Sequence, residues 1–209
     1  MKTEIICVLD RSGSMGSIAS ETIGGFNSFI EEQKKVEGKA RVTLVQFDNV
    51  YEMVYQGTKL KEVPVLDSNT FKPRGMTALY DAIGKTLTEQ RKRIEADKWA
   101  DKVIVVILTD GGENSSQEFN QKTVQQLTKD AQDSLWSFVY LGANQDSFDA
   151  AQSFGINTKS HLNMVSNYEA NTAGAAFASR SYASTVTLMR TNTSSIAADV
   201  TLPTGTETV

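Results

Sequence analysis

Two short stretches, residues 5–9 and 103–108, are continuously apolar and rich in β-branched side chains, the pattern of strands covered on both faces. They are expected as central parallel strands. Residues 41–47 and 51–55 read as two further strands separated by Asp48-Asn49, a candidate tight hairpin that would make one sheet edge antiparallel. A later strand spans 134–141, ended by Gly142, and a shorter one 161–165. Between the strands the spacing turns helical. Ile18, Ile23, Phe26 and Ile30 share one face, as do Leu79, Ile83, Leu87, Gln90 and Ile94. Val124, Leu127 and Ala131 mark a third helix and residues 148–154 a short fourth. Residues 171–190, opened by an Asn/Thr cap and rich in alanine, predict a long last helix. This order predicts an α/β fold: doubly wound, with a mostly parallel central sheet, one antiparallel edge strand and helices on both faces.

Composition narrows the picture. With 209 residues and 40% hydrophobic content, one core and one domain are expected, over residues 1–190. After Lys159 the charged residues thin to Glu169, Arg180, Arg190, Asp199 and Glu207, and residues 191–209 lose all periodicity, which predicts an extended or disordered tail. A net charge of −4 and a pI near 5.1 build in no general attraction to nucleic acid or to anionic membranes. The longest apolar stretch, 103–108, falls far short of the roughly 20 residues that cross a bilayer. Cys7, the single cysteine, lies inside the first apolar run and reads as a small buried hydrophobe. No basic and apolar secretory start precedes the first strand, so a cytoplasmic protein is expected. The glycosylation triplets at Asn114 and Asn192 then carry no weight.

Doubly wound sheets collect ligands outside the carboxyl ends of their strands. Three polar clusters fall at such places: Asp10-Arg11-Ser12-Gly13-Ser14 after the first strand, Thr109-Asp110-Gly111-Gly112 after the strand 103–108, and Arg74-Gly75-Met76-Thr77 before the second helix. A carboxylate at the edge of an apolar core is costly, and two side by side repel. A divalent cation relieves both costs. Hard ions such as Mg²⁺ choose oxygen ligands, and Ser12, Ser14 and Thr77 supply neutral hydroxyls beside Asp10 and Asp110. Two carboxylates merely balance a doubly charged ion, which leaves it electrophilic toward one further carboxylate from outside.

Asp10-Arg11-Ser12-Gly13-Ser14-Met15, Gly75-Met76-Thr77-Ala78-Leu79 and Leu108-Thr109-Asp110-Gly111 together resemble the metal-ion-dependent adhesion site (MIDAS) of von Willebrand factor A-type (vWA) domains. The resemblance spans residues 2 to about 165, and the segment Gly142-Ala143-Asn144-Gln145-Asp146 is similar to compact bacterial and phage members. It implies the family's Rossmann-like fold, occupancy by Mg²⁺ or Mn²⁺, and a protein partner that offers an acidic residue to the metal. By the same resemblance Ser12, Ser14 and Thr77 contact the metal directly while Asp10 and Asp110 act mainly through water, and the last helix could move on ligand binding.

Other readings stand beside this one. Singly, the hydroxyls could be helix caps and the carboxylates loop acceptors. Asp81 could support the metal site from behind, but an acid in a first helical turn also favours the helix dipole, the preferred reading. Arg11 and Arg74 could steer an acidic partner, and Glu113, Asn114, Asn144 and Gln145 could form a selective rim. His161, the only histidine, argues against a His-rich zinc site, and Arg91-Lys92-Arg93 reads as a solvated helix face. The enzymatic alternative is a Mg²⁺-dependent phosphotransferase or hydrolase with Asp10 as nucleophile. Against it, the position two residues on is Ser12 rather than an acid, and no P-loop or nucleophile elbow is present. The third alternative is a scaffold whose metal only cross-links loops. The chain is therefore expected to be a metal-dependent protein-binding module and not an enzyme.

Overall fold

A computed structural model describes residues 1–143, 147–160, 162–168 and 172–191. The continuous apolar runs become central strands because both of their faces are covered. In β1 (Lys2–Asp10), Ile5, Cys7 and Leu9 join one core cluster while Ile6 and Val8 join the other. The same alternation divides β4 (Lys102–Thr109) and β5 (Ser137–Ala143): Ile104, Val106, Val139 and Leu141 face one way, and Val105, Ile107, Phe138 and Tyr140 the other. The first layer is closed by α1 (Ala19–Lys34) and α5 (Thr172–Thr191). The second is closed by α2 (Leu79–Asp97), α3 (Gln121–Asp133) and α4 (Ser147–Ser153).

The six strands run in the order β3-β2-β1-β4-β5-β6. All neighbours are parallel except β2 (Lys39–Phe47) and β3 (Tyr51–Lys59), so β3 is the antiparallel edge. From β1 the chain winds outward through α1 to β2 and β3. It then crosses back along α2 to β4 on the other side of β1. The carboxyl ends of β1 and β4 lie at the point where winding reverses, the place where open α/β sheets collect ligands.

The expected elements all appear, with shifted ends. Residues 134–136 are not strand: Ser134, Leu135 and Trp136 donate their amides back to the last turn of α3, with Leu135 in the left-handed region at φ 62°. Chain reversal there takes three residues that pattern alone assigned to β5. The hairpin falls where expected: Phe47 pairs with Tyr51, and Asp48, Asn49 and Val50 form its loop. A 3-10 helix, Gly13–Ile18, precedes α1. β6 lies at Met164–Tyr168, later than expected. His161, the Asn171 cap, Asn144, Gln145 and the tail beyond Thr191 lie outside the described residues. Among the described residues no helix is long and apolar enough to cross a membrane.

Candidate metal centre

The register of the sheet assembles the site. Leu9 pairs with Leu108, so Asp10 and Thr109 come next on adjacent strands. Thr109 donates its hydroxyl to Asp10 Oδ2 at 2.6 Å, and the Ser12 amide donates to Asp10 Oδ1 at 2.6 Å. Both oxygens of a fully buried carboxylate are thereby held. The Ser12 and Ser14 hydroxyls stand 3.1 Å apart, and Ser14 donates to Asp110 Oδ1 at 2.7 Å. Thr77 enters from the third segment: a Cβ added to Gly111 would lie 3.3 Å from Thr77 Oγ1 and 3.8 Å from Ser14 Oγ. A side chain at 111 would press on Thr77. Asp10, Ser12, Ser14, Thr77 and Asp110 thus converge on one spot, with Asp10, Ser12 and Thr77 buried, Asp110 half-buried and Ser14 exposed.

Burial pushes the Asp10 carboxyl up to about 6, against the hydrogen bonds from Thr109 and Ser12 that pull it down; the nearby Asp110 charge adds to the rise. Asp110 is also raised, chiefly by burial. Two carboxylates whose charged forms are both disfavoured need a cation or a proton. The donors at this spot are oxygen only, three of them hydroxyls, and the set fits a hard divalent ion. Among the described residues no cluster of three or more His, Cys, Asp or Glu offers another metal site.

Surrounding residues take roles that differ from several sequence expectations. Arg11 does not face outward to steer a partner. Its side chain is 7% exposed and is clasped by Asp48 at 3.0 Å and Glu52 at 2.5 Å. Arg74 reaches the same Asp48 oxygen at 2.9 Å from the solvent side. Burial would raise the Asp48 carboxyl, but hydrogen bonds from Arg74, the Val50 amide and Arg11 hold it below its ordinary value. Asn114 brackets Thr77, accepting its amide at 2.8 Å and donating its own amide to the Thr77 carbonyl at 3.0 Å. Glu113 accepts the Tyr80 amide at 2.8 Å, and Asp81 accepts the amides of Gln117, Glu118 and Phe119. These two acids cross-brace the start of α2 with the loop after β4; Asp81 stands in the first turn of α2, as the dipole reading requires, and its carboxylate is also engaged by the loop amides. Arg93 is no free surface charge, since it reaches the buried Glu4 at 2.5 Å.

A family model described as the von Willebrand factor type A domain matches residues 4–189. The chain belongs to the von Willebrand factor type A family. No curated protein matches this vWA domain in a sequence search. Solved structures share its fold at low identity. The vWF domain of the type V pili tip protein Mfa5 from Porphyromonas gingivalis is 13% identical with a TM-score of 0.61, over 90% of this chain and 95% of that one. The pilus adhesin SpaC from Lactobacillus rhamnosus GG is 16% identical with a TM-score of 0.65, over 89% of this chain and 30% of that one. Proximal thread matrix protein 1 from the mussel byssus, solved with zinc in its MIDAS motif, is 16% identical with a TM-score of 0.58 over 86% of this chain. The vWA domain described here spans 46% of that mussel protein. Divalent metal binding at a MIDAS is common among vWA domains.

Proposed function

We propose that this vWA domain is a metal-dependent protein-binding module that holds Mg²⁺, with Mn²⁺ able to replace it, through Asp10, Ser12, Ser14, Thr77 and Asp110, and captures an acidic group of a protein partner. The observation that carries the reading is the convergence of these five oxygen donors, and no nitrogen or sulfur donor, at the crevice between β1 and β4. The bound cation would supply the positive charge that an outside carboxylate needs. The chain's own residues do the rest. Thr109 and the Ser12 amide orient Asp10, the hydroxyls add donors without adding negative charge, and Ser14 lies exposed at the mouth where a partner arrives.

Nucleophilic chemistry at Asp10 is disfavoured by the same geometry, because both carboxylate oxygens are engaged in the buried floor of the site rather than presented outward. The reading extends to a cytoplasmic setting. The test is capture of partner protein on immobilised wild type and Thr77→Ala chain, each with Mg²⁺ or with EDTA. Capture should require both Mg²⁺ and Thr77. Retention of the same partner in EDTA and by Thr77→Ala would reject the mechanism, and Asp10-dependent turnover of a phosphate ester would restore the enzymatic alternative.

A further inference from the structure

Asp48 is not one of the five proposed ligands, yet every segment that carries Ser12 and Thr77 is tied to it. The register explains why. Asp10 pairs with Phe47, so one residue further along each strand places Arg11 beside Asp48, at the rim of the site. Asp48 is fully buried, and its Oδ2 accepts Arg11 Nε at 3.0 Å and Arg74 Nε at 2.9 Å while Oδ1 accepts the Val50 amide at 2.7 Å. Its carbonyl accepts the Ala78 amide at 3.0 Å. Arg11 lies between Asp10 and Ser12; Arg74 and Ala78 lie on either side of Thr77. The two loops are also stitched to each other, Arg74 N to Arg11 O at 2.8 Å and Gly13 N to Gly75 O at 3.2 Å. Gly75 has φ 68°, and a Cβ there would collide with Asn49 Oδ1 and lie 3.6 Å from the Asp48 Cβ, so the Thr77 loop is pressed directly onto the Asp48 turn.

A buried carboxylate shared by two arginines is expensive to assemble unless the geometry it imposes is used. Asp48 and Glu52 balance Arg11 and Arg74, so the cluster adds no net charge to the site beside it. We infer that Asp48 is a positioning residue for the cation site: by clamping Arg11 and Arg74 together it fixes the spacing between the Ser12–Ser14 loop and Thr77, and thereby tunes the site to a small ion. This inference rests on the metal reading proposed above and adds a residue that touches no ligand atom of the site. It has a consequence that plain destabilisation lacks. Mg²⁺ demands near-ideal octahedral geometry, whereas Ca²⁺ accepts longer and more variable contacts, so loosening the clamp costs Mg²⁺ more than Ca²⁺.

The experiment is calorimetric titration of Mg²⁺ and of Ca²⁺ into the full chain, with circular dichroism to establish folding. Asp48→Asn should weaken Mg²⁺ binding by about 10- to 100-fold, the usual range for residues that orient metal ligands, and Ca²⁺ binding by clearly less. Arg74→Gln breaks the clamp from its exposed side and should weaken Mg²⁺ in the same sense by a smaller factor, while Arg91→Gln on the outer face of α2 should change nothing. A folded Asp48→Asn chain with wild-type Mg²⁺ affinity, or an equal loss for both ions, overturns the inference. If Asp48→Asn does not fold, Arg74→Gln decides: unchanged Mg²⁺ affinity overturns it. A wild-type chain that binds neither ion removes the metal reading itself, whereas wild-type binding with an indifferent Asp48→Asn removes only the role of Asp48.

Discussion

At the scale of single residues, the cation site is a place where burial works against charge. Asp10 titrates near 6 in the folded chain instead of near 3.8. A carboxyl raised on folding contributes stability that is full below its unfolded value and is lost as the pH rises through the folded one. For Asp10 this amounts to about 3 kcal/mol, taken from roughly two units at about 1.4 kcal/mol each. In EDTA, the unfolding free energy of wild type relative to Asp10→Asn should therefore fall as the pH goes from about 4 to 7. Urea denaturation at both ends of that range measures it, and the titrations of Glu4 and Asp48 cancel in the difference. Mg²⁺ should restore the loss at neutral pH in wild type alone. A difference that does not change with pH would show that Asp10 is not forced into the charged state by folding.

At the scale of elements, α5 is fastened to α1 by polar contacts inside an apolar interface. Gln33 is fully buried and donates to the Ala183 carbonyl at 2.9 Å and to Thr187 Oγ1 at 3.1 Å. Arg190, itself buried, donates back to the Gln33 carbonyl at 2.7 Å and to its side-chain oxygen at 3.1 Å. Tyr182 adds a hydrogen bond to the Gly25 carbonyl at 2.9 Å and packs its ring against Phe29 at 4.8 Å. Lys102 of β4 also caps the Met189 carbonyl. Replacing Gln33 by alanine strips a buried arginine of one of its two partners, so the chain should lose about 1.5–3 kcal/mol, the range for hydrogen bonds to charged groups. Hydrogen exchange should quicken first in residues 182–190. Equal loss of protection across β1 and β4 would mean that Gln33 supports the whole core rather than this joint.

At the scale of the whole molecule, the proposed ligands come from segments as far apart as residues 10 and 110 and meet only when the sheet is complete. An unfolded chain has no such site. Mg²⁺ should therefore stabilise the fold by mass action, by about 2.7 kcal/mol at a concentration 100 times the dissociation constant. Thermal unfolding at increasing Mg²⁺ should show a rising midpoint in wild type and none in Asp10→Ala. The winding reversal beside β1 makes this coupling structural: removing β4 from the sheet would remove Thr109 and Asp110 together.

The order of strands and helices, the antiparallel edge and the polar segments at the strand ends could be read along the chain because each rests on local information. Continuous apolar runs mark strands covered twice, a spacing of three and four marks helical faces, and the candidate ligands stand next to strand ends. What could not be read depends on which residues become neighbours across the fold. Asp48 looks like an ordinary turn residue until the pairing of Asp10 with Phe47 sets it beside Arg11. Gln33 is lost in a polar run, and Arg11 looks exposed. The end of α3 took Ser134, Leu135 and Trp136 from a stretch whose pattern fits a strand equally well, because carbonyls at the helix end needed donors. Sequence determined the elements and the chemistry carried at their ends; strand register and burial, which exist only in the folded chain, decided which charges meet and which of them are held in place.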